Sequence, residues 1–297
     1  MDIRLGLLYM ALSAFSLGAM NALIKIASAY YSPLENIFYR AFFTLLFLGF
    51  FYFIKPFSFR AYKKGGGVLL FWRMVVGALG MTLMCYNVYT MPLGMASAFN
   101  QSSPLYAILI SFLIFKEPVS LRLIGAGVIG VLGVVFVANP HTSGLTWVQV
   151  ASGVLNGVLV AIAYTSLYRL KEYYNGAFVV FIFSLCLSCI GFVGLWIDFP
   201  PFATGYHPMR FNGAWWHWDL WVLMGMGLTG TFGQYFLTKA YMIAPAGAIS
   251  PMIYSRLFWS VSFGMLLGDP WLGFWEGLGM GLIVLSGVLI ASYARKK

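Results

Sequence analysis

Four basic residues stand where a lipid-spanning chain should have none. Lys25, Arg40, Arg73 and Arg256 each fall inside a long apolar run; Glu276 is the main acidic residue within such a run, and Glu35 lies near a helix end. A central arginine costs about 3 kcal/mol on insertion scales, so a chain that keeps one has a cavity or an anionic partner to recover that cost. Depth ranks the four. Lys25 and Arg73 lie within about two turns of their helix ends, where a long side chain reaches the interface by snorkelling. Arg40 is about 10 Å below the surface at 1.5 Å per residue. Arg256 is about twelve residues from either end of its run, too deep for that escape. Its planar guanidinium suits a carboxylate or phosphate, so it is expected to anchor a negative group on a solute.

A polar knot accompanies the charges. In "SAFNQSSPLYAILISFLIFKEP" (97–118), Ser97, Asn100, Ser103, Ala107 and Ser111 recur at helical spacing, with Gln101 and Pro104 beside them. In hydrocarbon such a stripe must face protein or water. One reading is interhelical hydrogen bonding at about 1 kcal/mol per contact; the other is a cavity wall. Asn21 and Gln234 are polar at similar depth, and Tyr86, Tyr106, Tyr164, Tyr235, Tyr254 and Trp259 flank it. The candidate solute-binding set is therefore Arg256, Asn100, Gln101, Ser103, Arg40, Arg73, Asn21, Lys25, Tyr86, Tyr164, Gln234 and Tyr254.

The elements that must position these residues are membrane helices. The 297 residues are 61% hydrophobic and 9% charged, a composition that a soluble core of this size does not need. Apolar runs of roughly 20 residues, matched to a bilayer about 30 Å thick, predict ten spans at 5–28, 33–54, 68–90, 93–115, 120–138, 147–169, 176–197, 218–241, 244–267 and 272–293. Breaks fall at Ser32-Pro33, Met91-Pro92, Asn139-Pro140, Ala244-Pro245 and Asp269-Pro270. The first run is read as an uncleaved span. Cys85, Cys186 and Cys189 lie inside apolar runs, which argues against a disulfide framework or a metal cluster.

Loop charges orient the bundle. With both termini inside, one face collects Arg4, Lys55, Arg60, Lys63, Lys64, Lys116, Arg122, Arg169, Lys171, Arg295, Lys296 and Lys297, with Lys239 nearby; the other holds only Arg210. This asymmetry accounts for the net charge of +10 without a nucleic-acid partner. Trp147, Trp196, Trp215, Trp216, Trp218, Trp221, Trp271 and Trp275 gather at the outer interface as an aromatic belt.

The chain repeats itself. "LGMASAFNQSSPLYAILISFLIFKEP" has a counterpart in "IAPAGAISPMIYSRLFWSVSFGMLLGDP", and Gly77 and Gly80 match Gly227 and Gly230. Two halves follow, 1–142 and 143–297. Five helices per half make the second enter the membrane from the opposite side, the frame of an alternating-access carrier with its site between halves. "SPLENIFYRAFF", the SSP…FKEP segment and the glycine-rich last helix of each half resemble the drug/metabolite transporter superfamily, EamA type, over essentially the whole chain. The resemblance implies an all-α membrane fold of two inverted five-helix EamA repeats, cytoplasmic termini, and transport of small metabolites, often as efflux. Asp269 stands where that pattern has a glutamate, and its helix is two residues longer.

Other signals carry less. "GAGVIG" (125–130) matches a dinucleotide fingerprint, but no strand precedes it; its glycines, with Gly133, are expected to permit helix packing, as are Gly273, Gly277 and Gly281. His141, His207 and His217 fall in outer loops without metal-ligand spacing. The loop 198–217 reads as a lid or an interface anchor. The leading expectation is a secondary transporter, exporter or exchanger, of a small anionic or zwitterionic metabolite such as an amino acid or organic acid. It would sit in the inner (plasma) membrane as a monomer or homo-oligomer in contact with lipid, with no cofactor. A membrane enzyme acting on a lipid-linked substrate is one alternative, weakened because Glu117 and Glu172 stand beside basic residues. A non-transporting receptor bundle is the other, disfavoured by the inverted repeat. A reporter fused after Lys297 should be cytoplasmic and one inserted near Gly205 external; protease protection of each fusion checks this, and the reverse pattern would overturn the orientation.

Overall fold

The computed structural model describes residues 3–29, 31–54, 56–58, 61–103, 106, 121–137, 145–196, 218–243, 252–271 and 273–294. Among them run ten helices and no strand: α1 (Ile3–Ala27), α2 (Pro33–Ile54), α3 (Gly67–Thr90), α4 (Leu93–Gln101), α5 (Leu121–Val137), α6 (Trp147–Leu170), α7 (Gly176–Gly194), α8 (Trp218–Ile243), α9 (Ser255–Leu266) and α10 (Phe274–Ala294). Each corresponds to one expected span, since hydrocarbon leaves a single chain segment no other way to satisfy its own backbone.

Helix starts follow local chemistry. Ser32 caps α2: its Oγ accepts from the Glu35 backbone N–H (3.2 Å), and the Glu35 carboxylate accepts from the Ser32 N–H (2.6 Å). Glu35 therefore serves its own helix terminus. Thr146 and Gln149 form the same reciprocal box on α6, and Asn175 caps α7 by accepting from the Ala177 N–H.

The main helix contacts map onto one another when each helix is exchanged for the one five places along. α1 lies on α8 as α6 lies on α3, α1 on α9 as α6 on α4, and α2 on α8 as α7 on α3; α5·α10, α2·α7 and α4·α9 are their own counterparts. This is the geometry of two inverted five-helix repeats, and every self-paired contact joins one half to the other.

Glycine decides the closest of these crossings. A Cβ on Gly133 of α5 would stand 2.8 Å from the Gly279 carbonyl oxygen and 2.9 Å from the Ile283 nitrogen, and one on Gly279 would stand 2.7 Å from the Gly133 oxygen. The expectation for the neighbouring glycines is corrected: Gly125, Gly127, Gly277 and Gly281 face open space, and Gly273 instead makes room for the Glu276 carboxylate. Those four lie on the outer arc of a crossing that only one face of each helix can occupy.

α4 is followed by a turn at Ser102 and by helical backbone again at Ser103 and Tyr106, and α9 is preceded by helical backbone at Met252 and Ile253 and a turn at Tyr254. The remainder of spans 93–115 and 244–267 lies outside the described residues, as do the loop 198–217, the three histidines, Arg210, Trp215 and Trp216. Trp147, Trp196, Trp221, Trp271 and Trp275 are exposed at helix ends or in connecting turns on one face of the bundle. Gly133→Leu should destabilise the protein by about 1–3 kcal/mol through overpacking, lowering its melting temperature in detergent, whereas Gly125→Leu should leave it unchanged.

Candidate functional site

Arg73, Asn100, Tyr164, Gln234 and Arg256 line one interior cavity, together with Leu17, Met20, Met81, Met84, Phe183 and the glycines 77 and 80. It sits among α1, α3, α4, α6, α7, α8 and α9, so both halves supply its wall. The space open to water centres is about 40 Å³, room for on the order of one to three waters.

A hydrogen-bond chain aims Arg256 at this space. Asn156 Nδ2 donates to the Gly80 carbonyl (2.6 Å), Asn100 Nδ2 donates to Asn156 Oδ1 (3.0 Å), and Arg256 Nη1 donates to Asn100 Oδ1 (3.1 Å). The polarity of the chain fixes the Asn100 oxygen toward the guanidinium, which also bonds the Tyr164 hydroxyl. Arg256 Nε is left without a partner. Arg73 approaches from α3, its guanidinium carbon 5.0 Å from the centre of the Phe183 ring; its Nε and Nη1 have no hydrogen-bond partner. Gly77 makes that pose available, since a Cβ there would lie 2.1 Å from Arg73 Nη1.

Arg40 stands behind the wall, not on it. Its Nη1 lies 3.4 Å from the Met20 sulfur, and it is near enough to Arg256 for the two charges to repel. Arg40, Arg73 and Arg256 are 2%, 5% and 5% exposed, yet none pairs with a carboxylate among the described residues. The ion pairs present are Lys25–Asp269 (3.6 Å) and Lys63–Glu172 (3.8 Å).

The first of these closes one end of the bundle. Lys25 Nζ also donates to the Val88 and Met91 carbonyls, and Asp269 Oδ2 accepts from the Leu93 N–H (2.8 Å). Asp269 reaches that position from a turn that needs Gly268 at φ +90. The ends of α1, α3, α4 and α9 on this side of the bundle are thereby tied together. One helical turn deeper, Asn21, Ser97 and Ser260 are fully buried, and both Asn21 amide atoms and both serine hydroxyls lack partners. A layer of orphaned polar groups thus separates the cavity from the tie.

Of the remaining sequence candidates, Gln101 binds the Ile253 carbonyl through Nε2, bridging the end of α4 to the turn before α9. Ser103 is buried off the cavity. Tyr254 is buried with its hydroxyl unpartnered, in a space opened by Gly287 of α10. Tyr86 is buried in α3 away from the lining. Lys25 is held by Asp269, so snorkelling does not describe it. Among the flanking aromatics, Trp259 stacks on Phe263 and meets Phe15 edge-on, Tyr235 lies beneath Lys239, and Tyr106 packs on Gly157. Asn156 is the functional residue the sequence reading missed; an amide in the middle of an apolar run was the available signal.

This fold and site define a membrane carrier built from inverted repeats. The EamA-like transporter family matches residues 4–139. An uncharacterized transporter of Helicobacter pylori is 40% identical over 97% of this chain and 95% of its own length. The pseudopaline exporter of Pseudomonas aeruginosa is 27% identical over 97% and 94%, and an S-adenosylmethionine uptake transporter of Rickettsia prowazekii is 24% identical over 85% and 80%. A solved crystal structure superposes with a TM-score of 0.65 over 98% of both chains at 13% identity, a likeness of fold. The chain belongs to the EamA-like transporter family of the drug/metabolite transporter superfamily, whose members are transporters and not enzymes.

Asp269→Asn should loosen the outer tie. In protein with its native cysteines replaced, a Ser97→Cys thiol should then react with a membrane-impermeant maleimide at least several-fold faster than with Asp269 intact. An unchanged labelling rate would show that the pair does not close the path.

Proposed function

We propose that this multi-pass membrane transporter is an alternating-access carrier that exports or exchanges a small anionic metabolite, with Arg256 as its anchor. The halves 1–142 and 143–297 would rock about the α4·α9 and α2·α7 contacts. The observation that carries the reading is a pair of guanidiniums on one cavity wall with no carboxylate beside them among the described residues. A zwitterion is less well served, because the ammonium of an amino acid would find only amide oxygens and the Tyr164 hydroxyl there. The loop charges support cytoplasmic termini and an inner-membrane setting. In that orientation the Lys25–Asp269 tie lies on the outer side, as in a carrier closed to the outside. The relative named as a pseudopaline exporter, matched over 97% of this chain, supports outward movement.

The path from cavity to exterior would pass Asn21, Ser97 and Ser260. Their unsatisfied donors and acceptors could replace the hydration of a polar solute, and a dry, well-packed helix interface would have no use for them.

Arg256→Gln should insert normally, since it removes a charge from the membrane. It should weaken solute binding by about 2–4 kcal/mol, roughly 30- to 1000-fold, and Arg256→Lys should recover little because an ammonium lacks the planar fork. Flux of labelled organic acids in proteoliposomes checks this. Unchanged affinity in a variant expressed at the parent level would make Arg256 structural.

A further inference from the structure

We propose that the solute carries at least two carboxylates on a compact skeleton, one taken by Arg256 and the other by Arg73 across the Tyr164 hydroxyl. The proposal rests on the carrier reading above and adds the valence of its cargo.

Charge accounting leads to it. The chain has eight acidic residues: Asp2, Glu35, Glu117, Glu172, Asp198, Asp219, Asp269 and Glu276. Asp2, Glu117, Glu172 and Asp198 lie outside the helices described, Asp219 is the second residue of α8, and Glu35 and Glu276 occupy the first turns of α2 and α10. Asp269 is engaged with Lys25 and the Leu93 N–H. Among the described residues, the acidic side chains thus lie in the first turns of helices or in the connections between them. Arg40, Arg73 and Arg256 meanwhile put three buried positive charges around the cavity. A monoanion would neutralise one and leave two uncompensated in a medium where that is costly.

The donors left open agree with two attachment points. Arg256 spends Nη1 on Asn100 and another bond on Tyr164, keeping Nε free. Arg73 has Nε and Nη1 free and is supported through the face of Phe183 instead. Tyr164 lines the cavity with both arginines. Arg40 would add positive potential from behind Arg256 without touching the solute, which raises the advantage of a second negative charge.

The test uses the full-length protein in detergent and reads thermal stabilisation, because a ligand that binds the folded state raises the melting temperature by mass action. The probes are butyrate, succinate, glutarate and tricarballylate at matched ionic strength. Half-maximal stabilisation should need at least tenfold less of the di- and tricarboxylates than of butyrate. Arg73→Gln should remove that preference, Arg73→Lys should restore part of it, and Arg256→Gln should abolish stabilisation by all four. Butyrate acting at the same concentration as succinate would overturn the two-carboxylate proposal and leave the single-anion carrier standing. If none of the four stabilises parent protein that melts cooperatively, the anionic reading falls with it.

Discussion

Three guanidiniums held away from both water and carboxylates set the terms for the rest of this structure. Each must be given hydrogen bonds, aromatic faces or a ligand, because an uncompensated charge at this depth opposes insertion and folding alike. Arg256 is satisfied through Asn100 and, behind it, Asn156 and the Gly80 carbonyl; Arg73 rests on Phe183; Arg40 has a sulfur for a neighbour. None of these contacts neutralises the charge. The positive charge around the cavity therefore has no counter-ion among the described residues.

Local turns lie beside these contacts, one at Ser102 just after α4 and one at Tyr254 just before α9. Gln101 joins them by donating to the Ile253 carbonyl, and next to that bridge Arg256 of α9 donates to Asn100 of α4. Turns within a membrane are tolerated where protein covers them.

At one end of the bundle the remaining charge is paired. Lys25 and Asp269 come from opposite halves and bind each other together with backbone groups of the α3–α4 connection. Both side chains are partly exposed, so the pair is weaker than a buried one and can be broken without a prohibitive cost. Between it and the cavity, Asn21, Ser97 and Ser260 form a buried polar layer without hydrogen-bond partners.

Hydropathy determined the architecture: ten apolar spans and inverted halves follow from what a bilayer demands of a backbone, and these demands are local. The sequence also singled out Arg256, Asn100, Arg73, Tyr164 and Gln234, because polar groups in apolar runs are conspicuous one at a time. What it left undecided was which of them meet. Arg73 was expected to snorkel from its helix end and instead turns inward, because Gly77 leaves room for its guanidinium and Phe183 lies opposite. Lys25 finds Asp269 across a separation of more than two hundred residues, and Asn156 enters only as the third member of a chain anchored on Gly80. Side-chain direction, and the choice between partner and cavity, depend on the helix that happens to be adjacent; only the folding of one half against the other brings that helix into place.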